Sequence, residues 1–410
     1  MNLLTEGIKQ NLVIKTDMAK KLTIDGNTNT YPVYKVHLDC LYYNDRNDRI
    51  ATWISKYKSE KGISDFDKKD LEIYNSVIQK FIEDSNPEAI ARTQNNINLV
   101  GQQHPGVVLV DGRIIDGNRR YTCLRNLSRE DTRKNNYFET VILEHRIESS
   151  EKQIKMLELQ LQMGEESRVD YNPIDRLVGI YQDIVENKLL TIKEYADSTN
   201  RTTTEVEKDV ELAKLLVEYL EFINAPKKFF IAREQDLNGP LVELQSILKS
   251  TKDEDYKDQI KATVFANLLL QPAGDMTRYI RNIKGLVKEP ETKYLDEYLE
   301  KSLPVVEEVV EELAKKETVD QEIIATLRKK EEPKEELRQA TEIATTKVKA
   351  QQTKNLPLQN LSKAILMLKS IDMGIFAKLS ESQQSDFIEK FQELKGLCNQ
   401  IEGEMDVSES

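Results

Sequence analysis

Apolar residues in this chain repeat at every second position only within the first 150 residues; from Ser150 onward they repeat at helical spacing. The change of period predicts an α+β chain, with a mixed α/β domain first and an all-α remainder. Val33, Val36 and Leu38 lie in one period-two segment. VVLVD at 107–111 is a β-branched run closed by Gly112 and Arg113, and a further strand is expected at Thr140–Glu144. Between the first two strands, residues 51–98 carry Leu71, Tyr74, Ile78, Phe81 and Ile82 on one helical face, which predicts a helical insert.

Charge narrows the function classes. The 410 residues hold 59 Lys and Arg against 71 Asp and Glu, a formal net charge of −12. A balance of that sign argues against a protein that coats nucleic acid through bulk positive charge. Residues 1–150 are near neutral at +1, so the acidic excess lies in the helical remainder, and anion-binding chemistry is expected in the first third. No apolar run is long enough for a transmembrane helix, and the N-terminus alternates where a signal peptide would be continuous. Cys40, Cys123 and Cys398 are scattered, which predicts no disulfide framework, no CxxC metal site and a cytoplasmic location.

Composition and breaks divide the chain into five expected regions: an α/β domain over 1–150, a helical linker over 151–225, and helices over 226–288. A charged helical spacer over 289–350 and a C-terminal helical pair over 351–410 follow. The spacer is dense in Glu and Lys and broken by Pro290, Pro304 and Pro333, which reads as solvated helix. In the final pair, Leu361, Ile365 and Leu368 share one helix and Phe387, Phe391 and Leu394 the other. Two helices this short cannot bury both apolar faces, so homo-oligomerisation is expected there.

The segment richest in chemistry is GQQHPGVVLVDGRIIDGNRRYTCLRNL, residues 101–127. A strand ends in the turn Asp116-Gly117-Asn118, and a helix opens on Arg119 and Arg120. Glycine lets backbone approach an anion, the first helical amides donate freely, and paired guanidiniums supply forked, charge-assisted hydrogen bonds. That combination suits a phosphate chain.

The order of motifs around this turn resembles the ParB family, within the wider ParB/sulfiredoxin superfamily. Gly101 and Pro105 are similar to its G-x-x-x-P motif, and Gly117, Arg119, Arg120 and Tyr121 to its G-E-R-R-aromatic motif. Arg168, Asp170, Asn172, Pro173, Ile174 and Asp175 resemble its third motif, and LDCLYYNDRNDR at 38–49 resembles its first strand and Asn-rich turn. The resemblance covers roughly residues 33–220. It implies a pocket for CTP or another nucleoside triphosphate with Mg²⁺, lined by Gly101, Gln102, Asp116, Gly117, Asn118, Arg119, Arg120, Glu165 and Arg168. It also implies a DNA-associated protein of plasmid or mobile-element maintenance whose protomers change their association on nucleotide binding. Asn118 stands where the family has Glu, and Gly164 and Glu165 replace its Glu-Asn pair, so binding carries over better than triphosphate hydrolysis does.

Residues 190–216 resemble the helix-turn-helix of that family. Thr191 and Glu194 have capping-box spacing, Asn200 suits a left-handed turn, and Val206, Val210 and Leu212 would pack the second helix. DNA contact would fall to Arg201, Thr202, Thr203, Thr204 and Lys208, yet Glu205, Glu207 and Glu211 share that surface. Two alternatives remain open at this point: a nucleotide-using enzyme of the same superfamily, akin to a small-molecule kinase, and an interaction protein with a vestigial pocket. Sulfiredoxin chemistry needs a cysteine in the turn, where this chain has Asn118. Cys123 is expected inside the following helix as a small core residue.

Overall fold

The structure is a computed structural model that describes residues 1–24, 27–130, 136–144, 151–164, 172–288 and 292–408. Its strands form a single mixed sheet in the order β1-β2-β5-β3-β4. β1 (Val13–Ile24) pairs antiparallel with β2 (Asn27–His37), and β2 pairs antiparallel with β5 (Tyr137–Leu143). β3 (Gly106–Leu109) runs parallel to β5 and antiparallel to β4 (Ile114–Asp116). The strands expected near Val33, at 107–111 and at 140–144 are β2, β3 and β5. β1 carried no expectation, and only Val13 and Leu22 of its twelve residues are buried, so it has little apolar alternation to read.

Both faces of the sheet are covered. On one, Val36, Val108, Ile114, Phe138 and Ile142 pack against the insert helices α2 (Leu71–Ser85) and α3 (Pro87–Val100) and against α4 (Asn118–Glu130). The insert begins with α1 (Ala51–Lys61). On the other face, Val33, Val107, Leu109, Ile115 and Val141 meet Ile154, Leu157 and Leu161 of α5 (Glu151–Gly164). All four residues of β3 are buried, as a strand covered on both faces requires.

The helical remainder begins at α6 (Pro173–Ile180), where Asn172 caps the first turn ahead of Pro173, and continues as a π-helical turn, Tyr181–Glu186. α7 (Ile192–Thr199) and α8 (Thr203–Phe222) are two helices joined by a short turn at Asn200–Thr202. α9 (Phe229–Glu234), α10 (Asn238–Ser250), α11 (Glu254–Leu270), α12 (Met276–Lys288), α13 (Lys293–Ala314), α14 (Gln321–Leu327) and α15 (Glu331–Lys369) follow.

The chain divides into two compact units, Met1–Thr345 and Thr346–Ser410. The divisions expected at 150, 225 and 288 fall inside the first unit. The reason is tertiary: Thr52 at the start of α1 donates through its amide and hydroxyl to Asp175 of α6, and Arg233 of α9 pairs with the same carboxylate at 2.8 Å. The spacer expected over 289–350 is corrected too. Leu295, Tyr298, Leu299, Val305, Val306, Val309 and Leu313 of α13 are buried, while its glutamates take the outer face. Composition averages over the two faces of a helix and conceals the stripe.

The second unit contains the end of α15, then α16 (Met373–Phe376) and α17 (Glu381–Ser408). From residue 349 to 402 no side chain is buried. No helix among the described residues is long and apolar enough to cross a membrane.

Candidate anion-binding site

Two short strands and a glycine aim α4. β4 ends at Asp116, Gly117 takes φ +103°, and α4 starts at Asn118. A Cβ on Gly117 would stand 2.7 Å from Phe138 Cζ and 3.2 Å from Arg120 Nη2, so both the dihedral and the packing demand glycine. The helix that follows turns its first amides and the positive end of its dipole toward one cleft.

That cleft has a volume of about 400 Å³. Gly117, Asn118, Arg119 and Arg120 form one wall, Gln102, Gln103 and His104 a second, and Leu161 and Gln162 of α5 a third. Two more arginines close it: Arg49 beside Asn47, on the 3-10 turn Asp48–Ile50, and Arg92 beside Thr93 and Asn96 of α3.

Four guanidiniums therefore converge on a space that, among the described residues, holds one carboxylate. Asp116 is already engaged, bonded to Arg120 at 2.8 Å and 3.9 Å from Lys20 Nζ. Burial, with Arg49, Arg92 and Arg120 nearby, pulls the Arg119 guanidinium below its ordinary value. Such crowding is unfavourable until an anion relieves it. Two polar atoms of this wall, Arg120 Nε and Asn118 Oδ1, are buried without a hydrogen-bond partner among the described residues. Orphaned buried polar atoms in a cleft mark where a ligand's atoms fit.

Of the residues expected here, Gln102, Asp116, Gly117, Asn118, Arg119 and Arg120 all line the cleft. Gln102 serves it as a brace: its amide donates to Glu139 O at 2.7 Å and accepts from Glu139 N at 2.9 Å, which pins the loop to β5. Gly101 ends α3 with φ +75° and shapes the loop from outside the cleft lining. Glu165, Arg168 and Asp170 lie outside the described residues. Arg49 and Arg92 were not foreseen. Arg92 is the single cation of α3, with no neighbouring pattern to mark it, and Arg49 belongs to a segment read only as an Asn-rich turn.

Cys123 is fully buried, 3.6 Å from Ile90 O, and burial pushes its thiol up to about 12. A thiol so placed is a core residue and no nucleophile. Among the described residues no group of three or more His, Cys, Asp or Glu converges as a metal site.

α7 and α8 have the expected caps. Thr191 and Glu194 form a full capping box, Asn200 is left-handed at φ +53°, and Thr202 and Glu205 form a second capping box that opens α8. Their surface is acidic. Arg201 is drawn into an ion pair with Asp209 at 2.8 Å, while Thr202, Thr203, Thr204 and Lys208 are exposed beside exposed Glu205, Glu207 and Glu211.

No protein-family model and no curated protein matches this chain, so the geometry of the cleft carries the functional argument.

Proposed function

We propose that the chain binds the phosphate chain of a nucleoside triphosphate in the cleft at the start of α4. The observation that supports this reading is the convergence of Arg49, Arg92, Arg119 and Arg120 around Asp116, which Arg120 already holds at 2.8 Å. Mg²⁺ would enter on the ligand's phosphates, because among the described residues the cleft has Asp116 as its one acidic side chain, and Arg120 already holds it. Isothermal titration of the full chain with CTP, ATP and GTP in the presence of Mg²⁺ tests it. Saturable binding of at least one is expected, and absence of heat for all three removes the reading.

The ParB-like expectation adds a change of protomer association and a DNA partner. Shape favours DNA at α7 and α8, and the exposed glutamates oppose it at the range of phosphate contacts. Self-association has firmer support. Leu358, Leu361, Ile365 and Leu368 recur at three and four residues on α15, as do Phe387, Phe391, Leu394, Cys398 and Ile401 on α17, and none of them is buried. A second copy of this helical pair would convert it into a four-helix bundle. Leu361→Glu combined with Leu394→Glu is expected to reduce the full chain to its 47.4 kDa protomer in size exclusion with light scattering. An unchanged mass, or a wild-type protein that is already monomeric, defeats this reading.

A further inference from the structure

Behind the cleft lies a second cavity of about 570 Å³, and Asn47 lines both. At its wall Lys155 of α5 meets three carboxylates. Its Nζ is 2.6 Å from Asp48 Oδ1, 3.3 Å from Asp183 Oδ2 and 4.0 Å from Glu158 Oε2, and it also donates to Arg46 O at 3.3 Å. Asp48, Lys155, Glu158 and Asp183 are each more than nine-tenths buried. Asp183 sits on the π-helical turn, an element often found at functional positions.

One ammonium cannot neutralise three carboxylates; of the other cations lining the cavity, Lys58 pairs with Asp65 at 3.5 Å and Lys68 with Asp45 at 2.9 Å, and Arg113 lies on the same wall. Asn44 donates to Glu158 at 3.1 Å, and α7 contributes the buried phenol of Tyr195. Arg46 pairs with Glu151 at 3.0 Å, and Asp175 on α6 is matched by Arg233. On α6, a Cβ at Gly179 would stand 2.5 Å from the Asp48 carboxyl carbon, so Asp48 is held from behind. Burial pushes Glu158 and Asp183 each up to about 7, with Lys155 opposing that shift.

Two short connections join this cluster to the cleft. Gln162, on the cleft wall, donates to Glu158 Oε1 at 3.0 Å. Asp48 and Arg49 are successive residues of one 3-10 turn, the first in the cluster and the second in the cleft, and Asn47 accepts from Arg49 N at 3.1 Å to fix that turn.

We propose that the Asp48–Glu158–Asp183 cluster is a proton-binding site coupled to the cleft: a polyanion bound at Arg49 and Arg119 draws a proton from solvent onto the Glu158–Asp183 pair. The inference rests on the phosphate-binding reading above. The ligand cancels the arginine field that favours ionised carboxylates and adds negative charge of its own, and both effects strengthen proton binding. Linkage makes the effect reciprocal, so protonation of the pair tightens polyanion binding.

The test is calorimetry of the full chain with CTP and Mg²⁺ at pH 8, in three buffers of different ionisation enthalpy. Terminal phosphate is already ionised there, and any contribution from His104 in the cleft is common to wild type and variants. Wild type is expected to take up on the order of half a proton more per ligand than Glu158→Gln or Asp183→Asn. Equal proton counts in wild type and both variants overturn the coupling and leave the phosphate-binding reading intact. No binding of CTP, ATP or GTP to wild type overturns both. Each substitution removes a surplus buried charge, so a variant that fails to fold also counts against the proposal, because the charge it removes would then be required.

Discussion

Replacing Arg119 with alanine is expected to weaken triphosphate binding about 10- to 150-fold, the roughly 1.5–3 kcal/mol of a charge-assisted hydrogen bond made from a desolvated group. Arg119 is the guanidinium on which the positive field of Arg49, Arg92 and Arg120 converges. The same crowding predicts a second effect of opposite sign: without ligand, Arg119→Ala should keep or raise thermal stability, because it removes a like charge from the cluster. Titration calorimetry and thermal unfolding of one variant therefore read two independent quantities. Arg92→Ala should weaken binding in the same direction, since α3 contributes that side chain to the same cleft. A variant that binds like wild type, or that unfolds because it lacks Arg119, would show the arginines to be structural.

The largest effect on stability is expected from Lys155→Met, which keeps the bulk of the side chain and leaves three buried carboxylates without their cation. Breaking a buried ion cluster in this way costs about 3–5 kcal/mol. The cost depends on pH in a defined direction. Glu158 and Asp183 have folded-state values raised by burial to about 7, above the ordinary carboxylate range. The stability contributed by their excess proton binding is complete in acid and is lost as pH rises through about 7. Lys155 is held well above its ordinary value by Asp48, Glu158 and Asp183 against the opposing effect of burial, so its own contribution persists throughout that window. Lys155→Met should therefore be more destabilising at pH 8 than at pH 5.5, where protonated carboxylates no longer need the ammonium. Urea unfolding at the two pH values measures the difference. Equal losses at both would show that the carboxylates do not titrate in this range.

The Thr191–Glu194 capping box, the left-handed Asn200 and the Asn172 cap before Pro173 are where their spacing predicts. So is the strand-turn-helix that carries Gly117, Arg119 and Arg120. Each depends on hydrogen bonds or dihedral preferences within about four residues, a range over which sequence order and spatial order coincide. Glu and Lys density over 289–350 was misleading for the complementary reason. A charged outer face and the buried Val305–Val306–Val309–Leu313 stripe occupy the same helix, and whether such a stripe is covered depends on its neighbours.

The sequence by itself determined that a strand-bearing first third is followed by helices, that glycine and paired arginines open α4, and that α7 and α8 meet at a tight turn. Only the tertiary structure decided what gathers around that turn. Arg49 and Arg92 enter the cleft from the insert side of the sheet, and Lys155 meets Asp48 across 107 residues of chain. Burial of the two sheet faces brings those segments together, and apolar packing specifies which charged residues become neighbours without leaving a trace of it in their spacing. The cleft and the proton cluster behind it are therefore products of packing, while the helix start that faces the cleft is a product of local sequence.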